Sequence, residues 1–397
     1  MLMPTPLTCP CRSSTARAEL TARRTRNSAW KPQLSTRGHS QVRKHAMPSL
    51  HEKFFGCIAA CHIGSAMGAA VEGWPYSRIE ETYGTLADFQ SYEHYGNGWK
   101  REPGTTEDGV ERQKLIITAI IEKQDRVTAE DVRRIWLRDI KPESIGMVSE
   151  PFEAELLAIA RTNIPARDIG KYCDYSGLVT FSRSCHPVAL INAGCIPDAV
   201  ADILEVGQLY QVANGRGLKW ASAVGIAIAA ATTPGASVDT VLDAVLSHTD
   251  PSVAAEISRG LALADKCRDF RELRAAFDGI YSGAGIPYAQ SYANEVVTKA
   301  FAVFKLVRGN PRDAVVAAVN FGRDTDCLAA VAGGISGALS GAADIPQHWI
   351  DQLDRATKLN PYTNSQRTLR ETADGLYEAF RARLKRLEEY TAVMKNA

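Results

Sequence analysis

Two short runs of this chain could do chemistry together. Residues 322–327 read GRDTDC, followed by the small-residue stretch LAAVAGGISGALSG, and residues 104–109 read GTTEDG ahead of VERQKLIITAII. Asp324 and Asp326 are two apart, so both carboxylates can turn toward one point where a loop enters a helix. Thr105, Thr106, Glu107 and Asp108 form a second oxygen-rich knot. Each run alone is also a good helix cap: Thr105-Thr-Glu-Asp108 resembles a capping box, and acidic residues favour a helix N-terminus. Taken together they suggest more. Buried carboxylates without countercharge are costly, and Arg323 is the only basic residue close to the second knot in sequence. A hard divalent cation removes that cost, since Mg²⁺ takes about six oxygen ligands. A pair of ions ~4 Å apart could share such carboxylates and activate water.

The elements that must position these knots are helices. Thr128-Ala-Glu-Asp131 reads as a helix start ahead of Val132, Ile135, Trp136 and Ile140 on one face. Pro197 and Pro251 sit where a first-turn proline belongs, and Gly309-Asn310-Pro311 ends one helix and opens the next. A last helix is predicted from about Asn364 to Ala392, with Leu369, Leu376, Phe380, Leu384 and Leu387 as its apolar stripe. LVTFS at 178–182 is the one short strand candidate. Ala329, Gly333, Gly337 and Gly341 recur every fourth residue, which gives one helix face almost no side chains. Glycine inside a helix costs roughly 1 kcal/mol against alanine, so this helix belongs at the centre of a bundle, where a neighbour's backbone must come close. The expected fold is all-α.

Composition limits the function. The chain has 397 residues, 45% hydrophobic and 23% charged, with a net charge of +1, which fits an ordinary soluble globular protein. Residues 1–46 carry nine Lys/Arg against the single acid Glu19, leaving residues 47–397 near −7. That acidic body gives no reason to expect a nucleic-acid partner. The leader cannot bury enough surface to fold; we expect a disordered basic segment or a mis-called start, with an organellar transit peptide as the alternative. Residues 47–397 are expected to form one domain. The nine cysteines lack paired CxxC spacing, which argues against zinc and for reduced thiols in a cytoplasmic protein. The apolar run at 220–231 is too short to span a bilayer, so no membrane partner is expected.

Three blocks resemble the ADP-ribosylglycohydrolase family. GCIAACHIGSAMGAAVEGW (56–74) is similar to its opening helix, loop and glutamate. TTEDG (105–109) sits where the family has threonine, two aspartates and threonine. NFGRDTDCLAAVAGGISGALSG (320–341) resembles its closing signature, Gly-Gly-Asp-Thr-Asp-Thr and an Ala/Gly helix. The resemblance implies an orthogonal helical bundle around a binuclear site holding two Mg²⁺, with Mn²⁺ as the alternative. By it, the metal ligands fall on Thr106, Glu107, Asp108, Asp324, Asp326 and Cys327, and Glu72, matching the glutamate near the substrate, is the expected catalytic acid/base or gate. The implied reaction hydrolyses an N- or O-glycosidic bond of ADP-ribose, on an ADP-ribosylated protein or a small ribosyl compound.

The chain departs from that pattern in ways that bear on substrate. Glu107 replaces an aspartate, Cys327 replaces a hydroxyl residue, and Ser65 stands where an aspartate is usual. In SRSCHPVALINAG (182–194), Ser184 occupies the family's arginine position, with Arg183 beside it. His186 in that block, and Asn97 and Gly98 in YGNGW (95–99), are candidate substrate contacts, with packing or turn roles as the alternatives. The weakened middle block leaves two alternatives open: a hydrolase of a smaller N-ribosyl compound such as a nucleoside, and a non-catalytic binding or structural relative.

Overall fold

The computed structural model describes residues 47–94, 96–150, 152–281 and 291–396. The leader expected over 1–46, and Tyr95 of the YGNGW loop, lie outside them. The described chain starts with α1 (Leu50–Gly68) and α2 (Tyr76–Tyr83), then a two-stranded antiparallel ribbon, β1 (Tyr92–Glu93) and β2 (Lys100–Arg101). Next come α3 (Asp108–Lys123), α4 (Ala129–Asp139), α5 (Glu153–Ala160), α6 (His186–Leu190) and α7 (Ile196–Val206). They are followed by α8 (Arg216–Ala231), α9 (Val238–His248), α10 (Pro251–Ala264), α11 (Phe270–Asp278) and α12 (Ala293–Leu306). The chain closes with α13 (Pro311–Val319), α14 (Thr325–Ser340), α15 (Gln347–Leu359) and α16 (Leu369–Lys395). The all-α fold class is as expected.

Most helix signals work as their chemistry requires. Thr128 caps α4 in a full capping box with Asp131. Asn310 accepts from the Asp313 amide at the start of α13, one residue after Gly309 takes φ +71°. Three expectations are corrected. LVTFS is a buried turn, not a strand: only Leu178 makes an isolated bridge, to Tyr292. The ribbon at 92–101 carries the regular pairing among the described residues instead. The last helix begins at Leu369, because Thr368 and Glu371 form its capping box while Asn364 is held by Glu111. Its stripe is buried at Leu369, Leu376 and Phe380, but Leu384 and Leu387 are exposed.

At the centre α1 and α14 run antiparallel in backbone-to-backbone contact. A Cβ on Gly56 would lie 2.6 Å from the Gly337 carbonyl oxygen, on Gly64 2.4 Å from that of Ala329, and on Gly333 2.7 Å from that of Ala60. No side chain fits between the two helices along this seam. Both helices are buried almost throughout, as hydrophobic all-round helices must be. The stretch Leu50–Val71 is long and apolar enough to cross a membrane by length and composition, and here it forms the bundle's core. α8, α12 and α13 pack around α14, and α16 packs on α1.

Beside this seam, Gln113 of α3 lies between two imidazoles. His62 Nε2 is 3.3 Å from Gln113 Oε1, and His186 Nδ1 is 3.3 Å from Gln113 Nε2. Burial pushes His62 down to about 3 and His186 down to about 4, so both rings are neutral in the folded protein.

Two measurements follow from this packing. Gly337→Ala would set a Cβ 2.0 Å from the Gly56 carbonyl oxygen. The helix-propensity gain of about 1 kcal/mol is then outweighed by overpacking, and urea unfolding should show a net loss of about 2–3 kcal/mol. For the histidines, the unfolded chain takes up protons near pH 6.5 that the folded chain refuses. Their stabilisation is therefore complete above pH 6.5 and drains as pH falls toward 4, by up to ~1.4 kcal/mol per unit for each ring. His186→Asn should flatten that slope in unfolding curves taken across pH 4–6.5. An unchanged slope would mean that the His186 ring is already charged.

Candidate metal centre

Where α1 ends, a 3-10 turn (Ala69–Val71) delivers the chain to Glu72. This segment is laced to the loop before α14. The Gly73 amide donates to the Arg323 carbonyl and the Arg323 amide donates to the Trp74 carbonyl, both at 2.8 Å. The Thr325 hydroxyl donates to the Gly68 carbonyl, also at 2.8 Å. Gly322 takes φ +76° and has no room for a Cβ, which would meet the Tyr76 amide nitrogen at 2.5 Å. Arg323 holds φ +66°, a costly conformation for a non-glycine residue. Its guanidinium is occupied by both oxygens of Glu295, at 2.6 and 2.9 Å. The nearest basic residue in sequence therefore gives no countercharge to the aspartates.

Asp324 caps α14, accepting from the Cys327 amide through Oδ1 at 3.3 Å. The cap and metal readings are thus not exclusive, because Asp324 Oδ2 stays buried without a partner, as does Asp326 Oδ1. One ligand atom from each of Asp324, Asp326 and Cys327 falls within a 4.8 Å cluster. Two unsatisfied carboxylate oxygens side by side are what a cation would complete.

The first knot does not form the capping box its sequence resembles. Glu107 is the N-cap of α3 and makes no side-chain cap bond. Its Oε1 instead accepts from the Tyr92 hydroxyl at 2.8 Å, with Arg101 Nε 3.8 Å away. Thr106 donates to Glu111 at 3.0 Å and accepts from Lys114 at 3.4 Å. Asp108 Oδ2 is held by two arginines, Arg112 one turn later at 2.8 Å and Arg183 from the loop before α6. Arg183 also donates through Nη1 to Asp326 Oδ2 at 3.2 Å and to Cys327 Sγ at 3.1 Å. One guanidinium therefore joins the two knots.

Charge explains the titration of these groups. Burial, then the charges of Asp326, Asp324 and Glu107, raise the Glu72 carboxyl well above the usual carboxylate range, although 21% of its side chain still meets solvent. Burial pushes Glu107 up to about 8 against the pull of Arg101. Burial and Asp326 raise Asp324. Asp108 is the exception: burial opposes its charge, but Arg112 and Arg183 hold it below the ordinary value. A cation bound here would oppose the upward shifts and favour the charged carboxylates.

The remaining candidates sit elsewhere. Asn97 donates to the Gly146 carbonyl at 2.9 Å, and the Gly98 amide donates to Glu93 at 2.9 Å, so both fasten the ribbon turn. Trp99 of that turn lies under the Arg101 guanidinium, 4.4 Å from its ring centroid. His186 is fully buried in the core beside Gly334. Sequence reasoning missed Tyr92, His94, Arg101 and Arg112. His94 Nδ1 stands 3.7 Å from Glu72 Oε2. Only Arg112 carried a local signal, four residues after Asp108 on one helix face.

The carboxylate oxygens left without protein partners at this centre are on Asp324 and Asp326. Thr106, Glu107 and Asp108 already have protein partners. Residues 46–385 match the family described as ADP-ribosylglycohydrolase. An uncharacterized protein of Archaeoglobus fulgidus is 25% identical over 319 residues, covering 77% of this chain and 92% of the relative. The ADP-ribosyl-[dinitrogen reductase] glycohydrolase of Rhodospirillum rubrum is 23% identical over 310 residues, covering 77% and 92%. The ADP-ribosylhydrolase ARH3 of Gallus gallus is 21% identical over 351 residues, covering 79% and 92%. A solved structure described as an ADP-ribosylglycohydrolase-related protein complex shares the fold, with TM-score 0.61 and 16% identity over 84% of this chain and 99% of its own. With the family matched over most of its length, and the acidic blocks that carry the resemblance gathered at one centre, the chain belongs to the ADP-ribosylglycohydrolases, a family of glycoside hydrolases.

Proposed function

We propose that the chain is a Mg²⁺-dependent hydrolase of an ADP-ribosyl bond, N- or O-linked, on a protein side chain or a small molecule. The observation that carries this reading is the pair of buried, unpartnered oxygens, Asp324 Oδ2 and Asp326 Oδ1, within electrostatic reach of Glu72. Asp324 and Asp326 would hold the ion; when bound, it supplies a Lewis acid for ribose hydroxyls and a water. Hydrolysis breaks the bond from the anomeric carbon to the leaving nitrogen or oxygen, adds the water's hydroxyl to that carbon and returns a proton to the leaving group. Glu72 is the group to move that proton: it is partly open to solvent, and its neighbours favour its protonated form. His94, whose own charge is disfavoured by burial, borders it.

One observation favours a smaller N-ribosyl substrate as the second reading. Arg183, the arginine nearest the family's substrate-binding position in sequence, is spent on Asp108, Asp326 and Cys327. It is not free to read a diphosphate.

The test is product release by the full chain from ADP-ribosyl-arginine and ADP-ribosyl-serine peptides, and from nucleosides, with Mg²⁺ or with EDTA. We expect Mg²⁺-dependent release of ADP-ribose. Asp326→Asn should abolish it, and Glu72→Gln should lower kcat by about 10²–10⁴-fold. Release of free base from nucleosides alone would select the second reading, and full activity in EDTA would remove the metal from both.

A further inference from the structure

We propose that Arg183 is a built-in member of the centre, its guanidinium standing where a second cation would stand, so that this chain binds one divalent ion and not two. The inference rests on the metal-dependent reading above and refines it. Arg183 Nη2 reaches Asp108 Oδ2 in the first knot, and Nη1 reaches Asp326 Oδ2 and Cys327 Sγ in the second. One guanidinium thus supplies positive charge to both knots, where the sequence leads us to expect two ions sharing these carboxylates. Arg183 is 11% exposed, so it is part of the interior and not a surface side chain folded inward.

What is left over fits one ion. Asp324 Oδ2 and Asp326 Oδ1 lack partners, and Asp326 divides its carboxylate, one oxygen to Arg183 and one unclaimed. Glu107 is drawn to Tyr92 and Arg101, and Thr106 to Glu111 and Lys114. A planar guanidinium with several donors suits this arrangement, because it can serve a carboxylate on either side and a sulfur at once.

Two positions where the chain differs from the family pattern it resembles, 109 and 327, face this one group. Gly109 stands in place of a threonine, and a Cβ there would lie 2.6 Å from Arg183 Cδ and 2.8 Å from its Nε. A side chain at 109 would push the Arg183 guanidinium out of its present path. Cys327 stands in place of a hydroxyl; a thiol is a poor ligand for Mg²⁺ but an adequate acceptor for a guanidinium. Two substitutions that look unrelated in sequence, at 109 and 327, meet at one arginine.

The experiment is a Mn²⁺ titration of the full-length, EDTA-stripped protein by calorimetry, with electron paramagnetic resonance at saturation. We expect one Mn²⁺ per chain and a spectrum without spin–spin coupling. Arg183→Met, and independently Gly109→Thr, should raise the stoichiometry to two and introduce a coupled spectrum. Two coupled ions in the wild type would overturn the proposal, as would variants that remain at one. Should neither variant fold, the wild-type count still decides. No ion in the wild type would overturn both the proposal and the metal-dependent reading. One ion bound without turnover on any ribosyl substrate would sink the hydrolase reading alone.

Discussion

The seam between α1 and α14 is the constraint on which the rest of the structure depends. Two helices whose backbones touch can do so only where neither carries a side chain, and Gly56, Gly64, Gly333 and Gly337 provide that condition. Each glycine weakens its own helix, so the arrangement persists only through dense burial around it and the close packing of α8, α12 and α13. The contact also fixes register. At one end of the seam, Gly68 lies against the backbone of Asp326, its missing Cβ only 2.5 Å from that residue's Cα. The N-terminus of α14, with its aspartates, is thereby held beside the end of α1, which leads on to Glu72.

A second constraint is charge. The centre buries Asp108, Asp324, Asp326 and Glu107, and answers them with Arg101, Arg112 and Arg183, all from outside the two acidic blocks. Arg112 is itself shared with Glu153. Such a network is stable only if nearly every lone pair is answered, since removing one partner strands a buried charge. Asp324 and Asp326 each keep an unanswered oxygen, which sets them apart from the ion pairs around them.

Much of this was legible before the fold. The four-residue glycine spacing in 329–341 reports a side-chain-free face, and that face is the seam. Asp324 and Asp326 were legible only through pairing with the other acidic knot, since acidic residues at a helix entry also serve as caps, as Asp324 does. The partners of Glu107 were not legible: Tyr92 and Arg101 lie on a ribbon too short to show alternation. Arg183 was visible as a neighbour of Ser184, but nothing local says that it turns toward Asp108 and Asp326. That depends on Gly109, a residue whose contribution is the absence of a side chain. The mistaken start of the last helix has a similar cause. Asn364 continues the polar pattern but is bound to Glu111, a partner more than 250 positions away.

The reciprocal bonds between residues 73–74 and 323 carry a consequence for how a substrate enters. A glutamate on a free loop could swing aside as a door. Here its segment is stitched at both Gly73 and Trp74 to the backbone that holds the aspartates, with Gly322 wedged against Tyr76. Moving the loop as a body would tear the threshold along with the door. Glu72 is therefore tethered to the aspartates, and any movement of its loop must break these bonds or carry residue 323 with it.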